Sequence, residues 1–141
     1  LQENDKLLEI VNEIEKAQKE AITNKKVFFL TVDFDTNSYC AIPEEQPVDE
    51  TGFEDIAEIE DIAEVEYIKT DLVFIKGENS QESISQGKIT FSILPDGTKE
   101  FGLLVLMDPS NNEYYTLFFN PYFSSVEILE GAVDFNETYP L

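Results

Sequence analysis

The sequence contains no histidine, no arginine and no tryptophan, and a single cysteine, Cys40, among 141 residues. Each absence removes a class of function. Without histidine, Ser-His-Asp and Cys-His catalysis and histidine-ligated zinc cannot be built. Without arginine there is no bidentate fork for phosphate or carboxylate. One cysteine leaves no internal disulfide, and Cys40 is expected to pack as a small apolar side chain. No apolar run approaches the ~20 residues of a membrane-spanning helix. Positive charge is scarce too: 9 lysines stand against 30 Asp and Glu, a formal net charge of −21. Charge of that sign and size repels nucleic-acid phosphate and anionic membrane surfaces, so no nucleic-acid partner is expected.

Catalytic signals are equally thin. There is no Gly-rich phosphate loop. Among 30 acids, neighbouring carboxylates arise by chance, and nothing singles out one pair for acid/base work. The chain is read as non-enzymatic, with no cofactor and no metal. The most metal-like string is Asp33-x-Asp35-x-Asn37 followed by Glu44, which mimics a calcium loop. Ser38 stands where that loop needs glycine, Pro43 precedes the Glu, and strands rather than helices flank the segment. A hairpin turn is the better reading, since Asp and Asn are ordinary turn residues.

What is present is enough apolar material for a core: 42% hydrophobic residues, with 11 Phe and 6 Tyr. That suits one domain over residues 1–141. Residues 3–23 read as an amphipathic helix. At 100° per residue, Leu7, Ile10, Val11, Ile14, Ala17, Ala21 and Ile22 fall in one stripe, with Glu9, Asn12, Glu13, Lys16, Lys19 and Glu20 opposite. The stripe predicts a core-facing helix that ends at Thr23-Asn24.

The rest reads as β. Val27–Val32 and Tyr39–Ile42 predict a hairpin across the Asp35–Ser38 turn. Asp71–Lys76 predicts a strand, and Gly77–Gly87 a polar loop. Lys88–Leu94 alternates, with Ile89, Phe91 and Ile93 on one face. Pro95-Asp96-Gly97-Thr98 is a tight turn. Phe101–Met107 is apolar enough to be a central strand covered on both faces. Glu113–Phe119 and Ser125–Leu129 close the chain, with a tail over 131–141. One helix followed by many strands predicts an α+β fold, with an N-terminal amphipathic helix packed on antiparallel β-sheets. Six aromatics, Tyr114, Tyr115, Phe118, Phe119, Tyr122 and Phe123, are read mainly as core packing, with a ligand face as the alternative.

Residues 43–66 stand apart. They hold eleven acids and no lysine, and include a near-repeat, Glu54-Asp55-Ile56-Ala57-Glu58-Ile59 then Glu60-Asp61-Ile62-Ala63-Glu64-Val65. Two copies do not make a solenoid. Like charges at this density predict a solvated segment. Its acids, Glu44, Glu45, Glu54, Asp55, Glu58, Glu60, Asp61 and Glu64 among them, form a candidate partner-facing surface.

Two passages resemble the GspH/FimT family of minor pseudopilins. Ala17-Gln18-Lys19-Glu20-Ala21-Ile22-Thr23-Asn24-Lys25-Lys26-Val27 is similar to the passage that joins that family's helix to its first strand, with Gln18 where an arginine is usual. Ile89–Leu94 followed by Pro95-Asp96-Gly97-Thr98 is similar to the family's strand ending in a Pro-Asp-Gly turn. The resemblance spans roughly residues 5–130 in order and spacing. It implies a pilin-like fold in which residues 1–24 are the outer part of a longer helix and Leu1 is an interior cut. It further implies a membrane anchor before Leu1, in the bacterial inner membrane, and a periplasmic globular domain. The partners would be other pilin or pseudopilin subunits of a type II secretion system or type IV pilus. Charge alone offers a second reading, an acidic mimic of DNA. A third is a small-ligand-binding β-domain.

Overall fold

A computed structural model describes residues 4–44 and 66–132. The chain forms one helix, α1 (Asp5–Asn24), and then β1 (Phe28–Asp33), β2 (Ser38–Pro43), β3 (Ile68–Lys69), β4 (Val73–Glu78), β5 (Ser83–Ile84), β6 (Lys88–Ile93), β7 (Gly102–Asp108), β8 (Glu113–Phe119) and β9 (Glu127–Glu130). The strands make two antiparallel sheets, ordered β3-β2-β1-β6 and β5-β4-β7-β8-β9. The fold is therefore α+β, with an N-terminal helix and antiparallel sheets, as the element order predicts.

The helix starts at Asp5, two residues later than the stretch read from the sequence, because Asn4 caps it. Asn4 is extended (φ −114°, ψ 107°), and its side-chain oxygen accepts from the backbone N–H groups of Lys6 and Leu7. Such a cap satisfies donors that the first turn otherwise leaves orphaned. At the other end Lys25 adopts the left-handed conformation (φ 54°) and its N–H returns to the Ala21 carbonyl. A lysine thus fills a position that glycine usually takes.

Leu7, Ile10, Val11, Ile14, Ala17 and Ala21 are all buried, as the stripe predicts. They lie against β1, β2 and β6. The facing residues follow from the pleat: Leu30 pairs with Ala41 on one side and Phe91 on the other, and Val32 with Tyr39 and Ile89. Period-two alternation puts these side chains on one face. The second sheet adds Phe74, Leu104, Leu106, Leu117 and Phe119 to the same core. The Phe91 and Phe119 rings meet edge to face, 4.7 Å between centroids, where the sheets cross. Gly102 lies at that crossing. A Cβ there would stand 2.6 Å from the Glu78 carbonyl and 2.7 Å from the Phe91 ring, so only glycine fits the approach.

β7 is the middle strand of its sheet, and it is covered on both faces. Leu104 and Leu106 join the main core, while Leu103 and Val105 form a second cluster with Phe118.

Two expectations need correction. Ile22, counted in the helix stripe, is 51% exposed, because the stripe outruns the sheet beneath it. Gln18, a polar residue, takes a buried place instead. Residues 77–87 are not a plain loop: β4 continues to Glu78, and Asn79 folds the chain back into β5. The Asn79 side chain accepts from the backbone N–H groups of Gln81 and Glu82, which supplies the turn that composition alone conceals.

Candidate functional site

The residues proposed from sequence fall in different places. Asp33, Asp35 and Asn37 form the turn of the β1–β2 hairpin. Asp33 accepts from the Asp35 N–H at 3.0 Å, and Asn37 Oδ1 accepts from the Phe74 N–H at 3.1 Å. Asn37 thus ties the first sheet's turn to the second sheet. Glu44 lies at the opposite end of the same ladder, which pairs Phe28 with Pro43 and Asp33 with Ser38. Its carboxylate accepts from the Val27 N–H at 2.9 Å. The calcium-like spacing does not bring these residues together, because a hairpin separates them by the full length of its strands. Among the described residues no group of three or more Cys, Asp or Glu is placed to hold a metal ion. Glu45, Glu54, Asp55, Glu58, Glu60, Asp61 and Glu64 lie outside the described residues.

Cys40 is buried on the far face of β2. Its thiol is hydrogen-bonded to Tyr67, and the Lys88 ammonium lies 5.1 Å from the centre of the Tyr67 ring. Burial pushes the Cys40 thiol up, against the smaller pull of Tyr67 and Lys88. A buried, protonated thiol is a poor nucleophile. Tyr39, beneath the helix, is pushed up to about 12, first by burial and then by Glu13 and Glu9. Its hydroxyl stays neutral through the physiological range.

The six aromatics divide. Tyr115, Phe118 and Phe119 are buried, whereas Tyr114, Tyr122 and Phe123 are exposed. Core packing holds for the first three only. The chain turns at Asn120, whose side chain accepts from the Tyr122 N–H. That turn ends β8 and turns Tyr122 and Phe123 out of the core.

Tyr122 and Phe123 line a groove of about 300 Å³. Its walls are the C-terminal half of α1, the Pro95–Thr98 turn and the 121–124 loop. Exposed apolar side chains collect there: Ile22, Tyr122 at 88% and Phe123 at 50%. Leu94, also exposed, anchors the adjoining turn, accepting from the Gly97 N–H and donating to Thr98. Gly97 has φ +89°, and a Cβ on it would meet Ile22 Cδ1 at 2.8 Å. The turn sits directly on the helix.

Two buried polar side chains hold the walls in register. Gln18 donates from Nε2 to the Gly97 carbonyl at 2.9 Å and to the Ser124 carbonyl at 3.1 Å. One amide therefore joins helix, turn and loop. Lys99, only 2% exposed, donates from Nζ to the Phe123 carbonyl at 3.1 Å. Burial lowers its pKa, with Glu15 acting in the opposite direction. Both groups spend their hydrogen bonds on backbone carbonyls, and neither carries a reactive atom toward solvent. The groove is built to present a surface. It was not evident from sequence, although Gln18 had a signal: it falls one turn after Ile14, inside the apolar stripe.

Compared with protein-family models, curated proteins and solved structures, the chain matches none. Among the described residues no helix is long and apolar enough to cross a membrane.

Proposed function

We propose that the chain is a non-enzymatic assembly subunit of the minor pseudopilin or minor pilin type, acting in a type II secretion system or a type IV pilus. The supporting observation is the way an N-terminal amphipathic helix lies on antiparallel strands and ends at a preorganised apolar groove. An assembly subunit needs surfaces and a rigid frame rather than reactive groups. The polar side chains at the helix serve that frame: Gln18 and Lys99 brace the groove, and Asp108 braces the opposite end.

In this reading a lipid-embedded helix precedes α1, the globular domain lies in the periplasm, and neighbouring subunits are chosen by shape and charge. The pilin-like character of the fold and the acidic partner surface over residues 43–66 belong to this proposal.

The alternative of a small-ligand-binding β-domain gains no support from the described residues between helix and sheets. The space among Ile14, Leu30, Phe91 and Phe119 has no room for a water molecule. The DNA-mimic alternative gives the groove no role.

The test begins with the reading frame upstream of Leu1, which should encode a basic leader and then about 20 apolar residues. The protein expressed from that full frame should fractionate with the inner membrane and expose its globular domain to protease in spheroplasts. A start codon immediately before Leu1, or a full-length protein that stays in the cytoplasm, would contradict the reading.

A further inference from the structure

The exposed apolar side chains of the described chain are not scattered. Six large ones are exposed: Ile22, Ile68, Leu94, Tyr114, Tyr122 and Phe123. Three of them, Ile22, Tyr122 and Phe123, line the groove, and Leu94 directly precedes the turn that forms one wall. Isolated exposed apolar residues are ordinary; gathered ones mark a contact surface. The frame beneath is rigid, since Gln18 and Lys99 are buried and bonded to the carbonyls of the two loops. A preformed concavity with aromatic lips has little ordering left to do on binding.

We infer that this groove docks a segment of a basic partner protein, one that inserts an apolar or aromatic side chain between Ile22, Tyr122 and Phe123 and flanks it with lysine or arginine. Charge selects that occupant. The chain carries a net −21, and Glu15 and Asp96 stand on the groove walls against one lysine, Lys19. A second copy would itself carry a net −21, which opposes self-docking. An anionic lipid surface is repelled for the same reason. A cationic segment is steered in by the field and then held by apolar burial. The inference concerns the groove alone and stands whether or not the partner is a filament subunit.

The test is selection of a displayed random peptide library on the intact 141-residue chain, with a Y122S/F123S variant as counter-target. Both residues are at least half exposed, so the variant is expected to fold, and its circular dichroism and melting curve check that. Enriched peptides should combine an aromatic or large aliphatic residue with flanking Lys or Arg. A synthetic peptide of that kind should lose about tenfold in affinity or more on the double variant, and keep its affinity on Y114S, which alters an exposed aromatic elsewhere. Three results would overturn the inference. Enriched peptides could be acidic or purely polar. Basic peptides could bind the double variant as tightly as the parent, which would mean diffuse charge attraction. Sedimentation could show a concentration-dependent dimer that Y122S/F123S abolishes, which would make the occupant a second copy. If the variant fails to fold, I22S with the same peptide and the same outcomes takes its place.

Discussion

At its N-terminal end α1 is held by Asn4, whose amide donates to Asp108 at 2.9 Å, and by Lys6, 3.5 Å from the same carboxylate. Toward its C-terminal end it is held by Gln18, whose amide donates to two loop carbonyls. Both ties use a side-chain amide to join the helix to a turn of the β layer. They differ in what surrounds them. At the first end Asp108 is 4% exposed and also accepts from the Ser110 hydroxyl and N–H, so the contact is closed and polar. At the second end the same kind of tie supports a groove lipped by Ile22, Tyr122 and Phe123. Exposed apolar surface is thus not a general property of this helix's junctions. It is confined to one of them, the end where Gln18 and Lys99 hold two loops against the helix.

Variants at each end sharpen this contrast. The largest effect is expected for Gln18→Ala. It removes buried volume and leaves the Gly97 and Ser124 carbonyls without their donor, a loss of about 3 kcal/mol. Urea unfolding should show it, and amide shifts should concentrate in residues 95–98 and 121–124. At the closed end, Asp108→Asn is expected to cost about 2 kcal/mol. The Asp108 carboxyl is held at about 2, below its ordinary 3.8, foremost by the Ser110 hydroxyl and N–H and then by Asn4 and Lys6. A depressed carboxyl contributes stability that is complete above its unfolded pKa and is lost as pH falls through the folded value. Stability should therefore fall between about pH 4 and pH 2 in the parent and fall less steeply in D108N. Asn4→Ala is expected to cost about 1 kcal/mol, the usual loss of a helix cap, and to fray the first turn in hydrogen exchange. The smallest effect on stability is expected at the groove lips, where Y122S/F123S should shift unfolding by about 0.5 kcal/mol or less. If Y122S/F123S proved as destabilising as Gln18→Ala, the lips would be structural and the contrast between the two ends would fail.

Local pattern carried much of the fold. The helix stripe, the alternation of Ile89, Phe91 and Ile93, the Pro-Asp-Gly turn and the two-faced burial of β7 were all legible, because each depends on residues close in sequence. Sheet membership was not. β1 pairs with β6, Phe28 opposite Ile93, across a long stretch of intervening chain, and no local signal encodes that partner. The candidate site was legible in fragments only. Tyr122 and Phe123 stood out as aromatics, but their exposure depends on where the Asn120 turn points them. Ile22 fits the helical period and is left uncovered because the sheet ends first. Lys99 carried no signal in the sequence; an isolated pairing of Ile93 with Lys99 brings it to the 121–124 loop, where it donates to the Phe123 carbonyl. The acids of residues 45–65 lie outside the described residues, so the partner surface proposed there rests on composition.

The central claim is that the groove end of α1 exists for association and not for folding. The most direct measurement introduces Y122S/F123S, follows incorporation into the proposed pilus-type assembly, and records the melting temperature of the purified domain beside it. The account predicts an unchanged melting temperature and lost incorporation. Normal incorporation, or a loss matched by a fall in melting temperature, would contradict it.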